Sequence, residues 1–330
     1  MPEQEGPKKD MLSNSPIFKT EILMYSKALP ELERILREAG DTTNLYVPYI
    51  YHSLEPHQVM IFEDLVPQGY TVIRDRFVNK EELKNAYFKC LLQADECSHG
   101  RIPLKPRQVL IFEDLVPQGY FVIRDRPMKL NEYKNVFSKL AKWHAVSMKV
   151  LNEQPEILKD FKYGLMEMPT IMSDPMVTTG MENFLKIMDQ IPELTKYKPH
   201  FEKIKDNYMQ RMGDVMQEYR KNIQSDGYYV MCHGDFHARN LMFKENEEVM
   251  LVDFQICNLC PITIDLSYSV YMLMEPEQRW DLGKDLINFY FSVLEDTLKK
   301  VGYKGKMPTN DGLWKQIHRH KFYVSRRLTI

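Results

Sequence analysis

The stretch His233-Gly234-Asp235-Phe236-His237-Ala238-Arg239-Asn240 is followed, one charged turn later, by Leu251-Val252-Asp253-Phe254-Gln255. An aspartate leaves one apolar run, an asparagine stands five residues on, and a second aspartate ends the next apolar run. Phosphoryl transfer uses this set. The moving group spreads its charge over its oxygens and asks little covalent chemistry of a protein, so catalysis there is positioning plus electrostatics. In such a site Asp235 orients the attacking hydroxyl and accepts its proton. Asn240 and Asp253 supply oxygen ligands to Mg2+, a hard cation. Any single aspartate after a strand is ordinarily a turn former. The three residues together, with Asp253 closing an apolar strand, point to a catalytic loop. His233 is expected to hold backbone carbonyls rather than to react. His237 and Arg239 face either substrate or solvent. Asp265 either braces the loop by hydrogen bonds or is a helix-start aspartate favoured by the dipole.

Several elements must position these residues. Tyr228 to Met231 is a short strand running into the first motif, and Val249 to Val252 is a strand running into the second. Past Pro261 the chain is helical to near Gly302, with a last helix from about Asp311. Upstream, a helix over about Asn131 to Val150 carries Tyr133, Val136, Phe137, Leu140 and His144 on one side. The pattern from about Gly180 to Lys221 is helical and amphipathic, its apolar face packed into a core. Near the start, Ser15-Pro16 opens a helix with Ile17, Phe18, Glu21, Ile22 and Tyr25. Pro30 is expected to interrupt it, and a second piece runs to Ala39-Gly40. Asn44 to Leu54 has the alternation of a strand. This order predicts an α+β protein with a helical larger lobe.

An internal repeat dominates the first half. Gln58 to Arg76 and Gln108 to Arg126 agree at 17 of 19 positions with an offset of 50 residues. Weaker agreement continues, with Glu82, Lys84, Asn85 and Lys89 recurring as Glu132, Lys134, Asn135 and Lys139. Solenoids need about three copies to bury a shared core. Two copies fit a duplication of one segment inside a larger domain, spanning 54–89 and 104–139. Each copy has a short apolar run, then Glu-Asp-Leu, then a Pro-Gln-Gly-Tyr turn.

Composition excludes several classes. Lys and Arg total 44 against 46 for Asp and Glu, so no basic surface for nucleic acid is implied. No apolar run approaches the roughly 18 residues of a membrane helix. The polar N-terminus lacks the apolar region of a signal peptide. Five cysteines in 330 residues argue against a disulfide scaffold, and Cys257-Asn258-Leu259-Cys260 lacks the further ligands of a zinc site, so these read as structural thiols. The expectation is a soluble cytoplasmic protein.

His233-Gly234-Asp235-Phe236…Asn240 with Asp253-Phe254-Gln255 resembles the insect ecdysteroid kinase-like family, kin to choline-kinase-like and aminoglycoside phosphotransferase enzymes. Phe18-Lys19-Thr20-Glu21-Ile22…Tyr25, Phe112-Glu113-Asp114-Leu115 and Leu140-Ala141-Lys142-Trp143-His144-Ala145 also match that family, and the likeness covers about residues 1 to 325. The resemblance implies a protein-kinase-like bilobal fold, with a partial small N-lobe over 1–126 and a mostly helical C-lobe over 127–330. It implies ATP with Mg2+ and a small hydroxylated acceptor, ecdysteroids being the named class. Glu21 matches the helix glutamate that pairs with an ATP-binding lysine. Glu113, Asp114 and Leu115 match the hinge that holds adenine, with Glu63, Asp64 and Leu65 as the equivalents in the first copy; continuity into the large lobe favours the second copy.

Three departures from the family accompany this. The sequence starts after the position of the strand lysine and phosphate-covering loop, so both are expected to be missing, and Lys8 and Lys9 read as a solvated pair. The hinge is doubled. The sequence stops at Ser325-Arg326-Arg327-Leu328-Thr329-Ile330, short of the family's further helices. These features set two expectations side by side: a small-molecule kinase, or an inactive remnant that binds a ligand or partner. Losing one charged contact to a transferring group costs about 10²–10³-fold in rate, so low turnover is expected.

The repeat itself is testable. Deleting one period, Leu54 to Pro103, joins the upstream strand to the second hinge and its helix. Thermal unfolding should show equal or higher stability, because an unmatched apolar strand and its edge are removed. A large loss would mean that both copies belong to one core.

Overall fold

The computed structural model describes residues 17–47, 49–53, 109–112, 115–124, 126–162, 164, 178–245 and 248–320. These divide into two compact units. In the smaller, β1 (Tyr49–Ser53) pairs antiparallel with β2 (Val109–Phe112), with a register irregularity between Tyr49 and Tyr51. The strand β2 belongs to the second copy of the repeat; the first copy lies outside the described residues.

The larger unit opens with α1 (Ile17–Leu23), a π-helical turn (Met24–Ala28) and α2 (Leu29–Glu38). The expected break at Pro30 is absent. Pro30 cannot donate to Ser26, and its ring crowds that carbonyl. The π turn absorbs the misfit: Leu29 donates to Met24 five residues back, and the helix resumes with Pro30 in its first turn, where no amide is needed. The expected strand from Asn44 to Leu54 is likewise divided. Tyr46 makes an isolated parallel bridge to Leu251, and β1 starts only after Pro48.

After Leu115, Val116–Gln118 form a 3-10 turn closed by Gly119 at φ 88°. That left-handed conformation explains the glycine in Pro-Gln-Gly-Tyr. The long α3 (Leu130–Glu153) comes next. The amphipathic region resolves into α4 (Gly180–Gln190), α5 (Pro192–Thr195), α6 (Lys198–Ile204), α7 (Tyr208–Met216) and α8 (Glu218–Lys221). Met181, Met188, Phe201, Ile204 and Tyr208 form their shared core.

Beyond them lie β3 (Tyr229–Cys232), β4 (Leu241–Phe243), β5 (Val249–Leu251) and β6 (Asn258–Pro261). β3 pairs with β6 and β4 with β5, all antiparallel. The sequence pattern does not reveal β6, because its Asn-Leu-Cys-Pro carries no alternation and ends in proline. Helices α9 (Thr263–Leu273), α10 (Pro276–Lys300) and α11 (Asn310–Arg319) complete the unit. A capping box of Glu275 and Gln278, with Pro276 at the first position, separates α9 from α10. The architecture is α+β with helix predominant. Among the described residues no helix is long and apolar enough to cross a membrane.

α3 is the axis of the larger unit. It packs along α10 and against β3. Tyr133, Val136, Phe137, Leu140 and His144, the side read from spacing, are all fully buried. Trp143 stacks on Phe254 with centroids 5.4 Å apart and planes 4° apart, and its indole N–H donates to the Met231 carbonyl. One side chain thereby touches both segments that carry the motifs. Trp143→Ala should cost roughly 3–5 kcal/mol, read as a shift in denaturant midpoint with a native-like baseline.

Candidate active site

The segment of the first motif leaves β3 at Cys232. Gly234 takes φ 83°, and a Cβ there would lie 2.7 Å from the Ile256 carbonyl oxygen. Only glycine meets both conditions without strain. The loop then closes in a 3-10 turn, Ala238–Asn240, where the His237 ring accepts the Arg239 amide at 3.2 Å. Asn240 enters β4 with its own carbonyl accepting the Val252 amide at 3.1 Å. The two motifs are therefore sewn together by backbone just before Asp253.

Asp265 holds the loop from below. It is fully buried at the start of α9, and it accepts the His233 amide at 2.6 Å and the Gly234 amide at 2.9 Å. His144 of α3 adds a third donor, Nε2 at 3.1 Å, and its Nδ1 meets the Tyr290 hydroxyl at 2.6 Å. Burial alone would raise the Asp265 pKa, but the hydrogen bonds from His144 and the Gly234 amide outweigh it and hold the carboxyl below the ordinary range. Asp265 lies in the first turn of α9 and also bonds the loop. Sequence spacing points to His144 only as a core residue. Together His144, Cys232 and Asp265 bring ligand-type atoms within 4.8 Å of one another. The carboxylate is already filled by N–H donors, so this trio is closed on itself. Cys232, Cys257 and Cys260 are buried free thiols.

His233 is fully buried and its Nε2 lies 3.1 Å from the Val252 carbonyl, which only accepts, so Nε2 carries the proton. Burial pushes its pKa down. The imidazole is therefore neutral and bound to backbone. Its Nδ1 is buried without a hydrogen-bond partner.

Asp235 keeps a quarter of its side chain exposed. Asn240 Nδ2 donates to its carbonyl at 3.0 Å and to its Oδ2 at 3.2 Å. His237 Nε2 stands 3.4 Å from the same Oδ2. Tyr268 donates to Oδ1 at 2.8 Å. The sequence motifs do not include Tyr268; the available signal is its place one turn after Asp265 on the same helix face.

Asp253 adopts φ 65°, the sole non-glycine residue at positive φ among those described. Burial raises its pKa first, and the Asp235 charge adds to this. Phe254 beside it packs edge-on against Tyr25, centroids 5.3 Å apart. That contact brings α1 to the site. Glu21, one turn before Tyr25, is pushed up to about 7 by burial and then by the charge of Asp253. No cation faces Glu21 among the described residues. Leu115 is buried with Val47, Tyr120 and Met250. Glu113, Asp114, Glu63, Asp64, Leu65, Lys8 and Lys9 lie outside the described residues.

The geometry thus gathers Asp235, Asn240 and Asp253 on two adjoining loop ends, with Glu21 within electrostatic reach. Comparison with known proteins gives the class. The sequence pattern of the ecdysteroid kinase-like family matches residues 1–91 and 92–303. The chain belongs to this family of kinase-like small-molecule phosphotransferases. The junction of the two matches falls between the repeat copies. No curated protein matches at a significant level. Among solved structures, an amicoumacin kinase in complex with AMP-PNP and Ca2+ is similar at 12% identity and TM-score 0.32, covering 67% of this chain and 65% of its own. A spectinomycin phosphotransferase with ADP and spectinomycin is similar at 13% identity and TM-score 0.33, covering 77% and 76%. A Plasmodium vivax ethanolamine kinase is similar at 12% identity and TM-score 0.30, covering 77% and 70%. At such scores these likenesses carry no inference about the site. The chain spans slightly under two thirds of the amicoumacin kinase.

The loop geometry is testable by adding one methyl group. Gly234→Ala should destabilise by about 1–3 kcal/mol through backbone strain. Gly213→Ala, in α7 with open space around it, should be neutral or slightly stabilising. Equal midpoints for the two variants would contradict the positive-φ constraint.

Proposed function

We propose that this chain transfers the γ-phosphoryl group of ATP to a hydroxyl of a small molecule, with ecdysteroids the acceptor class its family name suggests. The observation that carries the reading is the joint placement of Asp235 and Asn240. Asn240 spends its amide N–H on Asp235, which turns its amide oxygen into the free acceptor of that side chain. With the half-buried Asp253 carboxylate it makes an all-oxygen donor set, which suits Mg2+. The raised pKa values of Asp253 and Glu21 fit too, because two mutually repelling carboxylates without a facing cation favour a divalent ion. Mg2+, when bound, neutralises charge on the phosphoryl oxygens. Asp235 orients the acceptor hydroxyl and takes its proton. His233 and Asp265 keep the loop in shape, and Glu113 to Leu115 supply the adenine contacts, with Glu63 to Leu65 as the alternative copy.

A second reading, a module that binds nucleotide without turnover, is favoured by one observation: Glu21 has no cation against it among the described residues. Calorimetry and turnover separate the two. Asp253→Asn should weaken Mg-ATP binding by more than the roughly 10–100-fold that losing a mere supporting residue costs. Asp235→Asn should spare binding and remove ATP turnover with an ecdysteroid acceptor. Mg-ATP binding with no turnover in the unaltered protein would support the binding module. Unchanged affinity in Asp253→Asn would sink the metal assignment.

A further inference from the structure

We infer that Tyr268 is a positioning residue for Asp235, fixing Oδ1 as the carboxylate oxygen that takes the acceptor's proton. The inference rests on the phosphotransferase reading above. An ionised carboxylate offers about four lone-pair sites, two on each oxygen. Oδ2 of Asp235 is faced by two loop donors, Asn240 Nδ2 at 3.2 Å and His237 Nε2 at 3.4 Å. The His237 tautomer makes the second of these a donor, because its Nδ1 accepts the Arg239 amide and leaves the proton on Nε2. Among the described residues Oδ1 is held by the Tyr268 hydroxyl, at 2.8 Å. The open lone pair is therefore on Oδ1, beside the phenol, and Asp235 is exposed enough for a small molecule to reach it.

Tyr268 lies three residues after Asp265 on α9, so both side chains leave one helix face. Asp265 grips the backbone of His233 and Gly234, while Tyr268 grips the side chain of Asp235. A single rigid element thus sets both the loop's path and the rotamer of its reactive residue. In the transfer step the acceptor O–H proton moves to Oδ1. The acceptor oxygen bonds to the γ-phosphorus, and the bond from that phosphorus to the β–γ bridging oxygen breaks, ADP leaving with the electron pair. The Tyr268 proton stays on the phenol throughout. Its hydroxyl lies within one hydrogen-bond length of the reacting oxygen and narrows the direction from which an acceptor can approach.

Tyr268→Phe keeps the ring and deletes the donor. The measurements are turnover of Mg-ATP with an ecdysteroid acceptor and with water as acceptor, KM for ATP, and the thermal midpoint, in the full chain. The expected result is a fall in kcat of roughly 10–100-fold, the worth of a hydrogen bond to a charged group, with KM for ATP and the midpoint unchanged. A merely structural tyrosine would leave kcat where it was. Turnover that depends on Asp235, shown with Asp235→Asn, but is unaltered in Tyr268→Phe would overturn this inference alone. Turnover absent from the unaltered chain, or indifferent to Asp235→Asn, would overturn the phosphotransferase reading and this inference with it.

Discussion

The carboxylate of Asp265 is the constraint on which the site depends. Taking a carboxylate out of water costs several kcal/mol even after relaxation, so the residue is tolerable only if its lone pairs are filled. Here they are filled by the His233 and Gly234 amides and by His144. The donors come from two different requirements. The two amides exist because the chain leaves β3 and turns at a glycine; the imidazole exists because α3 is aligned by packing on α10, where Tyr290 meets its other nitrogen. Removing any partner strands a buried charge. The loop, α3, α9 and α10 are therefore coupled through one side chain rather than through the sum of many weak contacts.

The second constraint is backbone conformation. The chain reverses twice near the site, at Gly234 with φ 83° and at Asp253 with φ 65°. Glycine takes the first at no steric cost. The second is held by a residue whose short polar side chain tolerates the left-handed region better than most, and its neighbour Phe254 is clamped between Trp143 and Tyr25. Aromatic packing on one residue thus stabilises the unusual backbone of the residue before it. The same clamp carries Glu21 to the site, since the π turn that continues α1 reaches Phe254 through Tyr25.

Features that depend on local pattern are legible in the sequence. The Asp235, Asn240 and Asp253 spacing, the apolar side of α3 and the glycine turn after Leu115 are all encoded within a few residues. Pro30 misleads because proline's lost hydrogen bond signals a break, while the π turn that absorbs the loss leaves no mark in the sequence. The strand β6 escapes notice because a four-residue buried strand has no period to detect. The roles of His144 and Tyr268 are not readable, because each depends on contacts over 33 or more positions of sequence separation. Asp265 carries two meanings in the sequence for the same reason: its helix-start position is local, and its bonds to the loop are not.

The repeat poses a problem of pairing that topology answers. Copies agreeing at 17 of 19 positions offer β1 nearly the same apolar run twice. The first lies about five residues from the end of β1, the second about 55 residues away, yet β1 pairs with the second. Loop closure grows only as (3/2)RT ln n, so the longer connection costs about 2 kcal/mol more. That is small enough for a single structural advantage to outweigh. Downstream of the second copy, in the larger unit, Tyr120 packs with Val47 and Met250, and Phe121 bridges to Phe243 of β4. Loop length is therefore a small term in the choice between two nearly identical partners.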